Sequence, residues 1–240
     1  MTLFFKLLLA HLIGDFFLQT TRMVNSKEHN KIKSPYLYLH CLIHILLTLL
    51  ITWDLSFWPY ALFIGLSHFI IDAAKLYLQR PHWRVASFLV DQFLHLLILI
   101  TISLFYNKAY LTIDMDLLFD NQKLFFYTCL LFLTTPCSIF IKTAISSWSP
   151  QNFEEQTANG SLQNAGKWIG NLERLLVFIF VVLGRWEAVG FLLAAKSIFR
   201  FGDLKNGEDR RLTEYVLIGT LLSFGIAILT GIVYLNLSLA

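Results

Sequence analysis

Charged residues are scarce in this chain, and their scarcity decides its class. Lys, Arg, Asp and Glu make up 15% of the 240 residues, whereas hydrophobic residues make up 56%. A soluble domain of this size carries about a quarter charged residues. The composition therefore excludes an ordinary soluble domain and predicts an integral membrane protein. A net charge of +3 is too small to indicate a nucleic-acid-binding protein.

Cysteine motifs and strand patterns are also missing. The three cysteines, Cys41, Cys129 and Cys137, lie in apolar stretches without a CxxC pair and are expected to be small buried side chains. The alternation of apolar and polar residues that a β-barrel requires is absent, so the chain is expected to be all-α. Residues 2–20 are interpreted as a retained first helix because the run contains His11 and Asp15 and no small-residue cleavage site follows.

Apolar segments predict a polytopic transmembrane helical bundle with seven or eight spans. A bilayer core of about 30 Å needs about 20 apolar residues per helix. The spans are placed at residues 2–20, 36–53, 58–79, 85–106, 122–141, 167–184, 187–201 and 213–236. We prefer eight, although the short seventh segment could merge with the sixth around Gly184. The chain then divides into an N-terminal half (1–106), an acidic external loop (107–121) and a C-terminal half (122–240).

The charges of the loops alternate and predict the orientation. Arg22, Lys27, Lys31 and Lys33 follow the first span. Basic residues recur in every second loop after that, while the intervening loops are mainly acidic. Because cytoplasmic loops carry an excess of Lys and Arg, both termini are expected outside.

Five of the seven histidines lie inside these apolar spans, and each has a second ionisable residue four positions away. The pairs are His11/Asp15, His40/His44, His68/Asp72 and Asp91/His95. Residues four apart share one face of a helix. An ionisable side chain at the centre of a bilayer costs about 2.5–3.5 kcal/mol on insertion scales. The predicted orientation brings all four pairs to the cytoplasmic half, so the sequence predicts one polar cluster between spans one to four.

A metal site is the favoured interpretation of this cluster. Imidazole and carboxylate ligands together suit zinc first, and also manganese or iron. All eight paired side chains are candidate ligands for one or two divalent ions, with Asp15 or Asp91 as a general base. Gln19, Lys75 and Gln92 are expected to orient the ligands. A purely structural polar network and a proton or ion pathway remain alternatives.

The C-terminal half carries charges within its predicted spans. GKWIGNLERLL places Glu173 and Arg174 in the sixth span, and AAKSIFRF places Lys196 and Arg200 near the cytoplasmic end of the seventh. Intramembrane ion pairs, together with cations that extend to the interface, are one interpretation. The other is that Arg174, Lys196 and Arg200 bind an anionic group of a substrate beside the metals.

The motifs together resemble a known family. The chain combines HLIGDFFLQ, HxxxH, HFIIDxxK and DQxxH with GxLER, AAKSIFRF and EYxLIGT. In this it is similar, over nearly its whole length, to bacterial multi-pass proteins catalogued as domain of unknown function 3307. The resemblance implies the bacterial cytoplasmic membrane and brings no established activity. The HxxxD spacing also resembles that of membrane-bound metal-dependent hydrolases.

The sequence thus favours a metal-dependent hydrolase of an ester or phosphoester, acting on a lipid or other amphipathic substrate from the cytoplasmic side. A transporter for protons or metal ions is one alternative. A non-enzymatic scaffold or regulator with a structural metal site is another. The expected partners are the lipid bilayer and a lipid or phosphorylated substrate, with no nucleic acid, and a homo-oligomer is left open.

Overall fold

A computed structural model describes the backbone of residues 2–80, 83–109, 117–148, 160–201 and 207–238. Every regular element in these ranges is helical, so the expected all-α class is confirmed. The chain divides into two compact units, Met1–Thr128 and Cys129–Ala240. The predicted external loop, residues 107–121, lies partly outside the described residues.

The first unit is built around a ring of four helices. Its elements are α1 (Thr2–Ile13), α2 (Thr21–Asn30), α3 (Pro35–Thr52), α4 (Trp58–Leu78), α5 (Arg84–Ala109) and most of α6 (Leu117–Leu133). Helix α1 packs against α3 and α5, and α4 packs against the same two helices, which closes the ring. Helix α2 packs against α3. The ring therefore brings together the four segments that carry the His/Asp pairs.

Helix ends in this unit follow from local sequence. Pro35 begins α3 and Pro59 lies in the first turn of α4, where a missing N–H costs no helical hydrogen bond. Helix α3 ends at Trp53, which adopts a left-handed conformation with φ of 55°. The Thr20 side chain accepts a hydrogen bond from the Met23 backbone N–H and caps α2.

The first predicted span is not one continuous helix. Helix α1 ends at Ile13, a π-helical segment follows over Gly14–Leu18, and Gln19 is extended. The chain then bends by 86° into α2. The first helix expected over residues 2–20 is therefore interrupted, and the wider π turn changes the direction of the side chains that follow it.

Several helices are long and apolar enough to cross a membrane. Among the described residues they are Pro35–Thr52, Leu55–Leu78, Arg84–Tyr106 and Glu214–Ser238. Two bent pairs also qualify, Leu3–Leu18 with Thr21–Lys33 and Gln122–Leu133 with Thr135–Ala144. The described part of the chain thus holds four to six candidate spans, and the count of seven or eight stays a prediction.

The first unit exposes large apolar side chains on its surface and buries histidines in its interior. Leu50, Phe63, Phe93 and Phe105 are each more than half exposed, whereas His40, His44 and His68 are at most 2% exposed. Large exposed apolar faces are unfavourable in water and suit lipid. Exposed Trp53 and Trp58 lie at one end of α3 and α4, and exposed Tyr77 and Trp83 lie at the other. Aromatic residues at both ends are typical of a span that meets two interfaces.

An apolar layer closes the ring on one side of the His/Asp pairs. It consists of Leu7, Phe57, Ala61, Ile64, Leu99 and Ile102, which pack together with at most 5% exposure. Leu7 precedes His11 by four residues, and Ile64 precedes His68 by four. Leu99 follows His95 by four. The layer therefore lies about one helical turn from the polar residues.

Asp54 ties the turn between α3 and α4 to α5. Its Oδ1 atom accepts hydrogen bonds from the Ser56 hydroxyl and backbone N–H, and its Oδ2 accepts one from the Tyr106 hydroxyl at 2.7 Å. These hydrogen bonds hold the pKa of Asp54 below its usual value, and the bond from the Ser56 side chain has the largest effect. The turn is thus fastened at the end of the ring that the apolar layer closes.

The second unit contains the rest of α6, followed by α7 (Thr135–Ala144), α8 (Gly160–Val182), α9 (Trp186–Phe201) and α10 (Gly207–Ser238). Helix α8 packs against α9 and α10, and α7 packs against α8 and α10. The predicted fifth span is broken at Thr134, where Pro136 begins a new helix and the axis bends by 42°. Gly184 turns the chain between α8 and α9 with φ of +67°.

Candidate metal centre

Ligand atoms of the four predicted pairs lie close together in the first unit. They form three overlapping groups, within each of which one nitrogen or oxygen atom per residue lies within 4.8 Å of the others. The groups are His11, Asp15, His44 and His68; His40, His68 and Asp72; and Asp72, Asp91 and His95. His68 and Asp72 each belong to two groups. The eight side chains therefore make one connected set, called the His/Asp cluster below.

Asp15 lies at the point where three imidazoles converge. The Nε2 atoms of His44, His40 and His68 lie 3.0, 3.2 and 3.2 Å from Asp15 Oδ1. On the other side of the carboxylate, His11 Nε2 lies 3.7 Å from Asp15 Oδ2. The Asp15 side chain is 10% exposed, so one edge of this arrangement can be reached from outside.

Hydrogen bonds between these groups cannot satisfy all of them at once. His40 Nε2 and His68 Nε2 are 3.0 Å apart, so in that contact one nitrogen donates and the other accepts. The accepting nitrogen has no proton for Asp15, although it faces the same oxygen. A divalent ion fits the spacing, because ligand bonds of about 2.0–2.1 Å in a tetrahedral site put neighbouring ligand atoms about 3.3–3.4 Å apart.

Gly14 gives the His44 imidazole the space it occupies. A Cβ atom on Gly14 would lie 2.5 Å from His44 Cε1 and 2.6 Å from Nε2. Gly14 also begins the π-helical segment that carries Asp15. Single π turns within helices are frequent at functional sites. The glycine therefore allows Asp15 and His44 to meet.

We expect Gly14→Ala to displace His44 and weaken the centre. The methyl group must push the ring away from Asp15, and overpacking of this kind typically costs about 1–3 kcal/mol. The variant should show a lower melting temperature in detergent and at least about tenfold weaker zinc binding by calorimetry. Gly190→Ala is the matched control, since a Cβ there meets nothing within 4 Å. Equal zinc affinity in wild type and Gly14→Ala would remove the glycine from this role.

Two lysines neutralise carboxylates of the cluster. Lys75 Nζ donates a hydrogen bond to Asp91 Oδ2, and Lys27 Nζ donates one to Asp72 Oδ2, each at 2.8 Å. Lys27 was expected to be a cation of a cytoplasmic loop, and this is wrong because only 6% of it is exposed. Met23 and Lys27, four residues apart, form the buried face of α2. That spacing in the sequence was the available signal.

Two glutamines connect the ligands. Gln92 Nε2 donates to Asp15 Oδ2 at 3.1 Å and to Asp91 Oδ2 at 3.2 Å, while its Oε1 lies 3.3 Å from His11 Nε2. Gln19 Nε2 lies 3.4 Å from His40 Nε2. Both glutamines thus contact candidate ligands, and Gln92 bridges the two carboxylates that are candidates for the general base.

Within the described part of the chain, four buried polar atoms of the cluster have no hydrogen-bond partner. They are His40 Nδ1, Asp91 Oδ1 and both ring nitrogens of His95. Asp91 and His95 are each 3% exposed. An unsatisfied buried polar group costs about 1–3 kcal/mol, so orphaned atoms in a polar cluster indicate a missing ligand such as an ion or water.

Arg174, a candidate substrate-binding residue, lies in the second unit and is bonded to its own chain. Its guanidinium donates to the backbone oxygens of Leu133 and Thr134 at 2.6 and 3.3 Å. It also donates to Ser138 Oγ, Asn171 Oδ1 and Ser223 Oγ. Arg174 is 4% exposed. Its guanidinium therefore supports the break between α6 and α7, while the anion-binding role stays a prediction.

Lys196 forms an ion pair with Glu173 in the same unit. Both residues line a cavity of about 170 Å³ together with Arg174, Thr220 and Ser223. The side chain of Arg200 lies outside the described residues. The interpretation of this half as a set of intramembrane ion pairs accounts for the contacts of Lys196 and Glu173.

Comparison with known proteins identifies the family. A family model described as "Protein of unknown function (DUF3307)" matches residues 3–126, slightly more than half of the 240 residues. The match includes every residue of the His/Asp cluster and excludes the C-terminal motifs GxLER, AAKSIFRF and EYxLIGT. No curated protein and no solved structure matches the chain. The chain therefore belongs to DUF3307, a family of proteins of unknown function.

Proposed function

We propose that this chain is a membrane-embedded, metal-dependent hydrolase that cleaves an ester or phosphoester bond. One observation carries the proposal: three imidazole nitrogens lie within 3.0–3.2 Å of a single oxygen of Asp15. Neutral imidazoles around a carboxylate make the donor set of a divalent transition ion, with zinc favoured over manganese and iron. His44, His68 and Asp15 are the proposed core ligands, with His11 or His40 completing the set.

The charges of the cluster support one tightly bound divalent ion. Its three carboxylates, Asp15, Asp72 and Asp91, face two ammonium groups, those of Lys27 and Lys75. With neutral histidines, which metal binding requires, one negative charge is left over and Asp15 carries it. A divalent ion held by these residues would change the net charge of the cluster from one negative to one positive. A buried site is most stable when its charges are compensated, so the cluster suits one divalent ion together with one further anionic group, such as that of a substrate.

The chemistry follows from this arrangement. A bound divalent ion lowers the pKa of its water to about 7 and polarises the scissile group. Asp91 is the proposed general base, since its Oδ1 atom is buried without a hydrogen-bond partner and can take the proton of the attacking water. The water oxygen attacks carbon or phosphorus, and Asp91 then returns the proton to the leaving oxygen. Gln92 keeps Asp91 next to Asp15 through hydrogen bonds to both.

Access from one side distinguishes this proposal from transport. Lys75 and Asp15 are partly exposed, with 28% and 10% of their side chains accessible. On the opposite side, Leu7, Ile64, Leu99 and their neighbours form an apolar layer, and the buried polar residues beyond the cluster on α3 and α5, Thr48, Thr52 and Ser103, carry uncharged hydroxyl groups. A transporter needs a polar route through both halves of the bundle, whereas a hydrolase needs one entrance. The packing therefore favours a hydrolase.

The proposed orientation puts this entrance on the cytoplasmic side of the bacterial inner membrane, with both termini outside. The support is the excess of basic residues in alternate loops, which holds after Lys27 is removed because Arg22, Lys31 and Lys33 remain. An amphipathic or lipid substrate would then enter from the cytoplasmic leaflet. An Asn30→Cys variant should not react with an impermeant thiol reagent in intact cells. Labelling of this position would contradict the proposed orientation.

Hydrolysis by the purified chain tests the function. We expect zinc- or manganese-loaded protein to cleave chromogenic carboxylic and phosphate esters in detergent, and chelator-treated protein to lose that activity. Asp91→Asn keeps the shape of the side chain and removes its basicity, so the rate should fall by about 100-fold or more. Asp54→Asn is the matched control, because Asp54 lies at the far end of α3. Full activity in metal-free protein would contradict the proposal.

A further inference from the structure

We propose that Asp72, Asp91 and His95 form a second divalent-metal site, and that the ammonium group of Lys75 controls its occupancy. The proposal rests on the proposed function, since it adds a second ion beside the one at Asp15. It also narrows the substrate class, because paired metal ions typically act on phosphoesters by stabilising both the attacking and the leaving oxygen.

Orphaned atoms in this group point to a ligand. Among the residues that the structure describes, both ring nitrogens of His95 and the Oδ1 atom of Asp91 are buried and find no hydrogen-bond partner. The two residues are each 3% exposed, so bulk water does not replace the missing partners. Native proteins rarely leave several such atoms together unsatisfied. A cation bound between His95 and Asp91 would satisfy a nitrogen and an oxygen in one step, and with this ion bound Asp91 would be a ligand instead of the general base of the one-ion form.

The distances in the group suit one ion. His95 Nδ1 and Asp91 Oδ1 are 4.0 Å apart, and one ligand atom of Asp72 lies within 4.8 Å of the other two residues. Two bonds of about 2.0–2.2 Å to a shared ion span about 4.4 Å when the ligands lie on opposite sides of it and about 3.3–3.5 Å in a tetrahedral site. Binding would therefore draw the three ligand atoms closer together by about 0.5–1.5 Å. Asp72 also groups with His68, a proposed ligand of the first ion, so the two sites are adjacent.

The two lysines oppose the binding of a second ion. Asp91 and Asp72 are already neutralised by Lys75 and Lys27. With the first ion bound, a second ion would add two positive charges beside these ammonium groups in a largely buried site, which is strongly unfavourable. One lysine therefore has to leave. Lys75, whose side chain is 28% exposed, can extend to the surface, whereas the Lys27 side chain is only 7% exposed.

The exchange of the Lys75 ammonium group for a second ion is tested by zinc titration. The full chain is titrated in detergent after a chelator has removed bound metal. Wild type should bind one ion tightly at Asp15 and a second ion weakly. In Lys75→Met the second binding event should become at least about tenfold tighter, because a competing positive charge is gone. Lys75→Arg keeps the charge and should behave as wild type. Lys33→Met is the control for removal of a lysine, since Lys33 is exposed.

His95→Ala, made in the Lys75→Met background, should abolish the second event and leave the first. Should Lys75→Met fail to fold, as judged by gel filtration and thermal melting, Lys75→Gln replaces it. A second event of unchanged affinity in the folded Lys75 variant, or one that survives His95→Ala, would overturn this inference and leave the first site intact. Absence of any zinc binding in wild type would instead overturn the proposed function.

Discussion

Replacing Asp15 by Asn is expected to cost the protein its tightly bound metal. The substitution keeps the size of the side chain but removes the one negative charge that no lysine compensates, and with it the proposed oxygen ligand. Loss of a residue that only orients a ligand lowers metal affinity about 10–100-fold, so loss of Asp15 should lower it by at least about 100-fold. Calorimetric titration with zinc measures this directly.

The same variant should lose the stabilisation that metal gives. A ligand present at 1,000 times its dissociation constant stabilises the folded state by about 4 kcal/mol. Added zinc should therefore raise the melting temperature of wild type and of Asp54→Asn, and should stabilise Asp15→Asn by about 1.4 kcal/mol or less, since its roughly 100-fold weaker site sees zinc at no more than about 10 times its dissociation constant. If Asp15→Asn binds zinc as tightly as wild type, Asp15 is not a ligand and the centre has to be assigned differently.

Replacing Arg174 by Met is expected to have the largest effect on the second unit. The guanidinium donates to the carbonyl oxygens of Leu133 and Thr134 at the break before Pro136, and Thr134 O also accepts from the Ser138 backbone N–H at 3.1 Å. Removing it leaves these oxygens and the side chains of Ser138 and Asn171 with fewer donors. The expected loss is about 3–5 kcal/mol of stability, measured by thermal or denaturant unfolding in detergent.

Arg185→Met is the control for this prediction, because Arg185 is exposed. Arg174→Lys should be nearly as harmful as Arg174→Met, since an ammonium group has three donors and cannot replace all five hydrogen bonds of the guanidinium. An Arg174→Met protein of wild-type stability would favour the other interpretation of Arg174, as a residue that binds an anionic group.

The signal for the four His/Asp pairs in the sequence is local. Four-residue spacing within apolar helices determines which side chains share a face, and His40 with His44 needs no tertiary information. The loop charges predict a common depth for the pairs without using the ligands. The break before Pro136 could also have been predicted from the sequence, since proline interrupts a run of helical hydrogen bonds.

What the sequence did not predict depends on contacts between distant segments. The need for glycine at position 14 comes from the His44 ring, thirty residues away in the chain. Lys27 was misinterpreted as a loop cation because its partner, Asp72, lies 45 residues further on. Arg174 was interpreted by its charge alone, whereas its bonds to the carbonyls of Leu133 and Thr134 arise only from the packing of α8 against the break.

The metal content of the purified chain tests the central claim most directly. Elemental analysis of wild type, purified in detergent without added metal or chelator, should find about one divalent transition ion per chain, most of it zinc. His68→Ala, which removes a member of two of the three ligand groups, should contain close to none while remaining folded. Wild-type protein that carries no transition metal and takes up none from added zinc would contradict the account.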